Sequence, residues 1–527
     1  MKNTEFNRFG VMLDNSRNAV MNVPSVKKFI DLIAGMGYDF LMLYTEDTYE
    51  CDGQPYFGHL RGKFSKNELK EIDSYAKAKG VELCPCIQTL AHLNALMQWP
   101  IYLGMCDLGD TLLAGDERVY HLIDDMFYTL SQCFTSRSVN VGMDEAFSLG
   151  RGTYQDIHGA VPKKEILLTH LNKVSEIAAK YGFELLVWGD MFYHMISDNN
   201  NEEISKLIPS NVNLINWDYY YRTTEAFDKK TDEYRTLDEN VWFAGGLWSW
   251  TGFAPHLTYG ISAAESAIKS CIEKKVKNCF FTVWGDNGGE TSRFAILPSL
   301  FAASEFAKGN FDRDKIKANF KNQFGMDFDR FMLLELPDTP NKDGANNPDK
   351  YLFYSDPLMG RFDSTLTGNE GELYGKCAEK LEMPFDDGEY SLIFKSMAAL
   401  ARVLEVKASF GIKTREAYLS GDKAGLSAMI PVCDEIIARV EKFYAAFEAQ
   451  WMWENKPHGF DVQDIRIGGV IMRMKHARMR LEKYLAGEID RLEELEEPVK
   501  NPFCYADETK STYCFNSWAT IASANVL

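Results

Sequence analysis

The sequence predicts an α/β fold: a (β/α)8 TIM barrel followed by a mainly α-helical C-terminal domain. Three observations carry this. Eight short apolar runs alternate with helix-patterned stretches over the first 310 residues. The strand signal then stops, and long amphipathic helical runs take over. No Gly-rich nucleotide fingerprint follows the first run, which argues against an open doubly wound sheet.

The runs are FGVML (9–13), FLMLYT (40–45), VELCPCIQT (81–89), VNVGM (139–143), ELLVW (184–188), VNLINW (212–217), VWFAGGLW (241–248) and NCFFTVW (278–284). They are continuously apolar rather than alternating, as strands covered on both faces must be. Eight of them in about 300 residues are enough to close a barrel. Between them lie helix signals. Ser65-Lys-Asn-Glu68 is a capping box opening a run that ends at Gly80. Residues 116–134, 163–180 and 262–275 carry apolar side chains at three- and four-residue spacing.

The expected domains are a catalytic barrel over 1–310, a linking region with short helices over 311–390, and a helical domain over 391–527. The terminal stretch FCYADETKSTYCFNSW shows no clear period. The net charge of −19 argues against nucleic acid or an anionic membrane as partner. No apolar run reaches the roughly 18 residues that span a bilayer. The first residues carry no secretory leader pattern, so a cytoplasmic protein is expected. The eleven cysteines are scattered without a framework and read as core residues. Cys84 and Cys86 share one strand face and are read the same way.

In a barrel of this type chemistry gathers at the C-terminal strand ends. The runs are followed in order by Asp14 and Arg17; Glu46 and Asp47; Gln88 and His92; Asp144 and Glu145; Trp188 and Asp190; Trp217, Asp218, Tyr219 and Tyr220; Trp248 and Trp250; and Trp284, Asp286 and Asn287. Five of the chain's ten Trp residues lie at the last four ends. Indole faces stack on the C–H faces of pyranose rings, and carboxylates and guanidinium bind their hydroxyls. This is the inventory of a carbohydrate site. Phosphate would want Lys and Arg clusters, and a metal hydrolase would want several strand-end His where only His92 stands. No metal or cofactor is expected, and the partner is an oligosaccharide or glycan. A homodimer is one assembly that the helical domain would allow.

Asp144-Glu145 is the sharpest feature. Two adjacent acids crowd each other's charge. Successive strand side chains point oppositely, so the pair can act together only if the strand end bends. Nor can adjacent acids form the usual retaining arrangement of two opposed carboxylates about 5 Å apart. They suit a division in which one protonates the leaving oxygen and the other holds a nucleophilic part of the substrate.

These residues resemble glycoside hydrolase family 20, the β-N-acetylhexosaminidases, in motif order over residues 8–310. VGMDEA (141–146) resembles its strand-four motif, PCIQTLAH (85–92) its strand-three motif, MLDNSR (12–17) its strand-one segment, and LYTEDTY (43–49) its strand-two segment. VWGD, NWDYY and VWGDN resemble the later Trp motifs. EDTYECDGQPYFGHLRG, WGDNGGET and the helical C-terminal half resemble the compact bacterial exo-acting branch.

The resemblance implies release of a terminal β-linked N-acetylhexosamine with retention, through substrate assistance by the 2-acetamido group and an oxazolinium intermediate. It makes Glu145 the general acid and base, and Asp144 the partner of the acetamido N–H. His92 with Glu46 or Asp47 would be a proton relay, and Tyr219 would bind the acetamido oxygen. Arg17 and Asp286 would bind outer hydroxyls, and Trp188, Trp248 and Trp284 would wall the sugar. Asp47, Trp217, Asp218 and Trp250 complete the expected binding set. Gln88, Ala91 and Met143 depart from the family pattern. Two other readings stay open: a retaining glycosidase whose nucleophile is Asp190, Asp218 or Asp286, and a non-catalytic carbohydrate-binding barrel.

Overall fold

The computed structural model of the protein describes residues 4–196, 201–338 and 347–500. The eight apolar runs form a closed parallel barrel. Its strands are β1 (Arg8–Asp14), β2 (Phe40–Glu46), β3 (Glu82–Ile87), β4 (Ser138–Asn140), β5 (Glu184–Trp188), β6 (Val212–Trp217), β7 (Trp242–Gly246) and β8 (Asn278–Val283). Each pairs with its neighbour, and β1 closes on β8 from Arg8↔Asn278 to Leu13↔Val283. All seven residues of β2 are buried, as the absence of alternation in the sequence requires.

The helices follow their signals. The capping box of Ser65 and Glu68 is formed at the start of Lys66–Ala78. Asp116 caps Glu117–Cys133, and Lys163–Lys180 has the expected bounds. The helix expected over 262–275 starts earlier, at Leu257. A small antiparallel pair, Cys106–Leu108 with Thr111–Leu112, was not anticipated. Cys84 and Cys86 are fully buried free thiols, pushed well above their ordinary pKa by burial.

One strand differs in a way that matters. The run 139–143 reads as a strand throughout, but β4 stops at Asn140. Gly142, Met143 and Glu145 take the left-handed backbone, with φ of 74°, 69° and 52°. A side chain at Gly142 would collide with the Gln88 amide, since a Cβ there would stand 1.9 Å from Oε1. The chain therefore leaves the sheet before the acid pair.

The chain divides into two compact units. Among the described residues, the barrel unit holds those up to 247, 260–284 and 299–316; the helical unit holds 248–259, 285–298 and those from 317 to 500. The loops after β7 and β8 thus belong to the helical unit. The stretch read as a linking region (311–390) forms helices that include Arg313–Phe324, Pro348–Tyr354 and Glu370–Glu382, with 3-10 turns, and from 317 on it is part of that unit. Helices Ser391–Lys407, Phe410–Leu419, Lys423–Glu454 and Phe460–Ala486 follow. Their apolar centre includes Phe443, Phe447, Trp451 and Phe460, with Phe253 edge-on to the first two. The aromatic terminal stretch lies outside the described residues.

A buried ionic cluster sits inside the helical unit. Glu290 pairs with Lys350 and with Arg466 at 2.9 Å, and Arg466 donates to the Asn287 carbonyl at 2.6 Å. Gln463 donates to the Gly288 carbonyl at 3.2 Å. Burial lowers the Lys350 pKa against the pull of Glu290. Removing one member of a buried pair strands the other, at a cost of about 3–5 kcal/mol. Glu290→Ala should therefore lower the thermal transition of the helical unit clearly. An unchanged transition in calorimetry would show that the cluster does not hold this unit together.

Candidate active site

The barrel mouth is built from strand ends. At β1, the buried Asp14 carboxylate accepts from the Ser16 N–H and hydroxyl, both at 2.9 Å, and holds Arg17 at 3.1 Å. The Arg17 guanidinium lies over the rings of Tyr44 and Trp284, 4.7 Å from each centroid. Its Nε is 3.4 Å from Glu46 Oε1, which also accepts from the Tyr44 hydroxyl at 2.9 Å. Burial raises the Glu46 pKa despite the Arg17 charge. Asp47 is buried and paired with Arg61, which also donates to the Ser16 carbonyl. The bond from Arg61 to the Ser16 carbonyl ties the loop after β2 to the loop after β1, and Asp47 holds Arg61 in place for it.

The bend after β4 does what the sequence could only require. It brings Asp144 and Glu145 to the same imidazole: His92 Nε2 is 3.2 Å from Asp144 Oδ2 and 3.5 Å from Glu145 Oε2. The His92 backbone N–H is anchored on Asp110 at 3.1 Å. The two acids differ sharply in exposure. The Asp144 side chain is 12% accessible and that of Glu145 is 46%. Asp144 Oδ1 accepts from the Gln88 amide at 2.8 Å, and the Gln88 oxygen accepts the Met143 N–H at 3.3 Å. Gln88, a departure from the family pattern, thus fits the bend and supplies a neutral donor to the acid.

The electrostatics follow. Burial opposes ionisation of Asp144, but the His92 charge and the donors from His92 and Gln88 outweigh it and lower its pKa. Burial opposes protonation of His92, but Asp144 outweighs it and raises the imidazole to about 9. His92 therefore stands with the acid pair. The relay expected with Glu46 or Asp47 is not what the contacts show, because Glu46 is held by Tyr44 and Arg17, and Asp47 by Arg61.

The aromatic wall is continuous within this unit. Trp284 lies 5.9 Å from Trp188 and edge-on to Tyr44 at 4.8 Å, and its Nε1 donates to the Tyr219 hydroxyl at 3.0 Å. Trp217 stacks on Tyr219 at 5.1 Å. Burial pushes the Tyr219 hydroxyl well above its ordinary pKa, so it stays a proton donor. Tyr220 is exposed. The Trp188 indole N–H is buried without a protein hydrogen-bond partner.

Asp218 differs from its expected role. Its Oδ1 accepts the Tyr220 and Tyr221 N–H groups, and its Oδ2 pairs with Lys230 at 2.8 Å. It shapes its own loop rather than offering free oxygens to a sugar. Trp248, Trp250 and Asp286 belong to the helical unit. There Trp248 stacks on Trp250 at 4.3 Å, and Asp286 sits in the loop that the Glu290 cluster grips. Substrate contact by these three is an expectation of the family resemblance. Among the described residues no group of His, Cys, Asp and Glu is arranged to hold a metal ion.

Tyr44 lies in the site and was not counted in it from the sequence; Gln88 and Asp190 were placed at strand ends, Asp190 as an alternative nucleophile, without the contacts to Asp144 and to the Glu145 N–H that they make. The alternation within LYTE puts Tyr44 and Glu46 on one face and was the available signal for the first.

The His92 pKa generates a test. A histidine raised above its ordinary value lends its ion-pair stability fully below about pH 6.5 and loses it as pH rises through about 9. Asp144, shifted down, lends its share above the ordinary carboxylate range and loses it only in acid. The imidazolium should therefore persist to about pH 9 in an NMR titration of His92, and fall towards 6.5 in Asp144→Asn. A wild-type midpoint near 6.5 would break this picture.

The model of the glycosyl hydrolase family 20 catalytic domain matches residues 6–238, and that of the Glycoside Hydrolase 20C C-terminal domain matches residues 329–514. Hexosaminidase D of Bos taurus is 24% identical over 296 residues, which are 53% of this chain and 81% of that protein. Hexosaminidase D of Homo sapiens is 23% identical over 214 residues, 38% of this chain and 43% of that protein. Among solved structures, the β-N-acetylhexosaminidase of Bacteroides fragilis has a TM-score of 0.48 at 18% identity, over 61% of this chain and 71% of its own. The exo β-N-acetylglucosaminidase of Vibrio harveyi has a TM-score of 0.48 at 15% identity, over 63% of this chain, which spans 59% of that one. Two family-20 models, one for each half of the molecule, together match well over half of the sequence, and the chain belongs to glycoside hydrolase family 20.

Proposed function

We propose that the protein is an exo-acting, retaining β-N-acetylhexosaminidase that releases terminal non-reducing β-linked GlcNAc, and GalNAc with it, from oligosaccharides by substrate-assisted catalysis. The observation that carries this is the unequal state of the acid pair. Asp144 is buried and held by Gln88 and His92 on its two oxygens, so it is fixed as a charged partner rather than a mobile nucleophile. Glu145 faces solvent, where a leaving oxygen can reach it.

The roles follow from these positions. Ionised Asp144 accepts the 2-acetamido N–H and offsets positive charge as the acetamido oxygen attacks the anomeric carbon. The C–O bond to the leaving group breaks as Glu145 gives that oxygen a proton, and an oxazolinium ion forms. Glu145 then takes a proton from the water that opens it, which restores the β configuration. The Tyr219 hydroxyl, anchored by Trp284, donates to the acetamido oxygen. Trp188 and Trp284 wall the acetamido group, and Arg17 meets the outer hydroxyls. Substrate binding also bears on proton supply. An acetamido N–H on Asp144 competes with His92 for the same carboxylate. That loosens a proton held 3.5 Å from Glu145.

The direct-nucleophile reading is less well supported. Both oxygens of Asp190 and of Asp218 are engaged by protein donors. A cytoplasmic site of action suits the cysteines: all nine in the described residues are free. No helix among the described residues is long and apolar enough to cross a membrane.

Four aryl β-glycosides test the reading: glucoside, galactoside and their 2-acetamido counterparts. Cleavage confined to the acetamido pair is expected, and the ratio within it gives the 4-hydroxyl preference. Equal cleavage of the plain sugars would remove the acetamido group as nucleophile. Glu145→Gln should cut turnover of poor leaving groups by at least roughly 100-fold, the scale of a positioned acid. Wild-type rates in that variant would take Glu145 out of the reaction.

A further inference from the structure

Asp190 stands directly behind the acid pair. It follows β5 after Gly189, whose N–H bonds to the Ile215 carbonyl at 2.9 Å. Any side chain at 189 would strike the Tyr234 ring and the Ile215 carbonyl, with a Cβ 2.4 Å and 2.8 Å away. The close approach of β5 to β6 therefore fixes where Asp190 starts. Its Oδ2 accepts the backbone N–H of Glu145 at 2.9 Å, and its Oδ1 accepts the Trp217 indole N–H at 3.3 Å. Glu145 sits at φ 52°, a left-handed conformation that is strained for a non-glycine residue and persists only where something holds it. The Asp190 carboxylate is a hydrogen-bond acceptor placed on that strained residue itself.

We propose that Asp190 is a positioning residue for the general acid: one carboxylate oxygen locks the Glu145 turn, the other ties it to Trp217, and its ionised form favours the protonated form of Glu145. This rests on Glu145 being the acid. Trp217 stacks on Tyr219, so one side chain joins the acid to the wall that receives the acetamido group. The charge matters because His92 lies on the other side. An imidazolium 3.5 Å from Glu145 favours its ionised, inactive form, and a second carboxylate opposes that pull. The groups facing Asp190 are Asp144 and Glu145 from the turn after β4, Trp217 Nε1 from β6 and the Tyr234 hydroxyl from helix Thr224–Arg235. Burial first, and then the Asp144 charge, raise Asp190 to about 7, as crowded carboxylates require.

The test compares wild type, Asp190→Asn and Asp190→Ala on aryl 2-acetamido β-glycosides with good and poor leaving groups, across pH. Only poor leaving groups need the acid. Both variants should lose about 10-fold or more in kcat/KM on them and stay within about 3-fold of wild type on good ones, since a misplaced acid costs about that much and kcat/KM stops at departure of the leaving group, before Glu145 acts as base. The basic limb of kcat/KM should move to lower pH, because a neighbouring negative charge no longer opposes ionisation of the acid. Equal loss on both substrate classes with an unmoved limb would overturn the proposal, as would wild-type behaviour. If these variants melt early, Asp190→Glu is read instead: it keeps the charge but shifts the oxygens by one methylene. A rate loss on poor leaving groups with an unmoved limb supports the proposal there, and an unchanged rate overturns it. Glu145→Gln run alongside separates the two claims. If that variant cleaves poor leaving groups at the wild-type rate, the acid assignment has failed, whatever Asp190 does.

Discussion

The site depends on one charge contact, His92 between Asp144 and Glu145. Two adjacent carboxylates at a strand end repel each other and point apart. A raised imidazole 3.2 Å and 3.5 Å from them reverses both tendencies. It supplies the counter-charge that keeps the buried acid ionised, and it gives both side chains a common place to point. Everything nearby serves that contact. Asp110 fixes the His92 backbone, Gln88 holds the far oxygen of Asp144, and Asp190 holds the backbone of Glu145.

The backbone had to yield for this to happen. A strand that ran on through Met143 would have put the two acids on opposite faces. β4 instead ends at Asn140, and the next residues turn through left-handed conformations. Gly142 is the position where only glycine serves, because the Gln88 amide fills the space a Cβ would take. Gln88 in return accepts the Met143 N–H, so one side chain demands the glycine and satisfies the turn it makes. This coupling explains how the chain departs from its family's pattern at Gln88 and Met143 while keeping the acid pair in register.

The barrel was legible because continuous apolar runs and capping signals are local properties. Ser65 with Glu68, the Asp116 cap and the eight runs need nothing beyond their own neighbourhoods to be read. The acid pair, His92 and the Trp set could be placed at strand ends for the same reason. Their partners could not. Whether His92 faces Glu46, Asp47 or Asp144 depends on how far each strand end curls inward. That depends on Arg61 reaching the Ser16 carbonyl and on Arg17 lying over Tyr44, contacts between segments remote in sequence. Asp218 was misleading because a strand-end carboxylate looks the same in sequence whether it meets solvent or its own loop's N–H groups and Lys230. The assignment of the loops after β7 and β8 to the helical unit was likewise beyond local reading.

The barrel mouth is rich in carboxylates, yet few are free to react. Asp14, Glu46 and Asp47 are buried against arginines, and Asp218 closes a turn. Asp144 is pinned on both oxygens. Such tethering removes nucleophiles and leaves fixed charge, which in a partly dry site acts more strongly than in water. On the proposed reading the nucleophile comes from the substrate, whose acetamido oxygen would meet a fixed Asp144 and a buried, proton-bearing Tyr219. Glu145 is the exposed member of the pair, the one that the proposed reading has take and return a proton. The chemistry of the site thus follows less from which acids are present than from which of them the fold has already engaged.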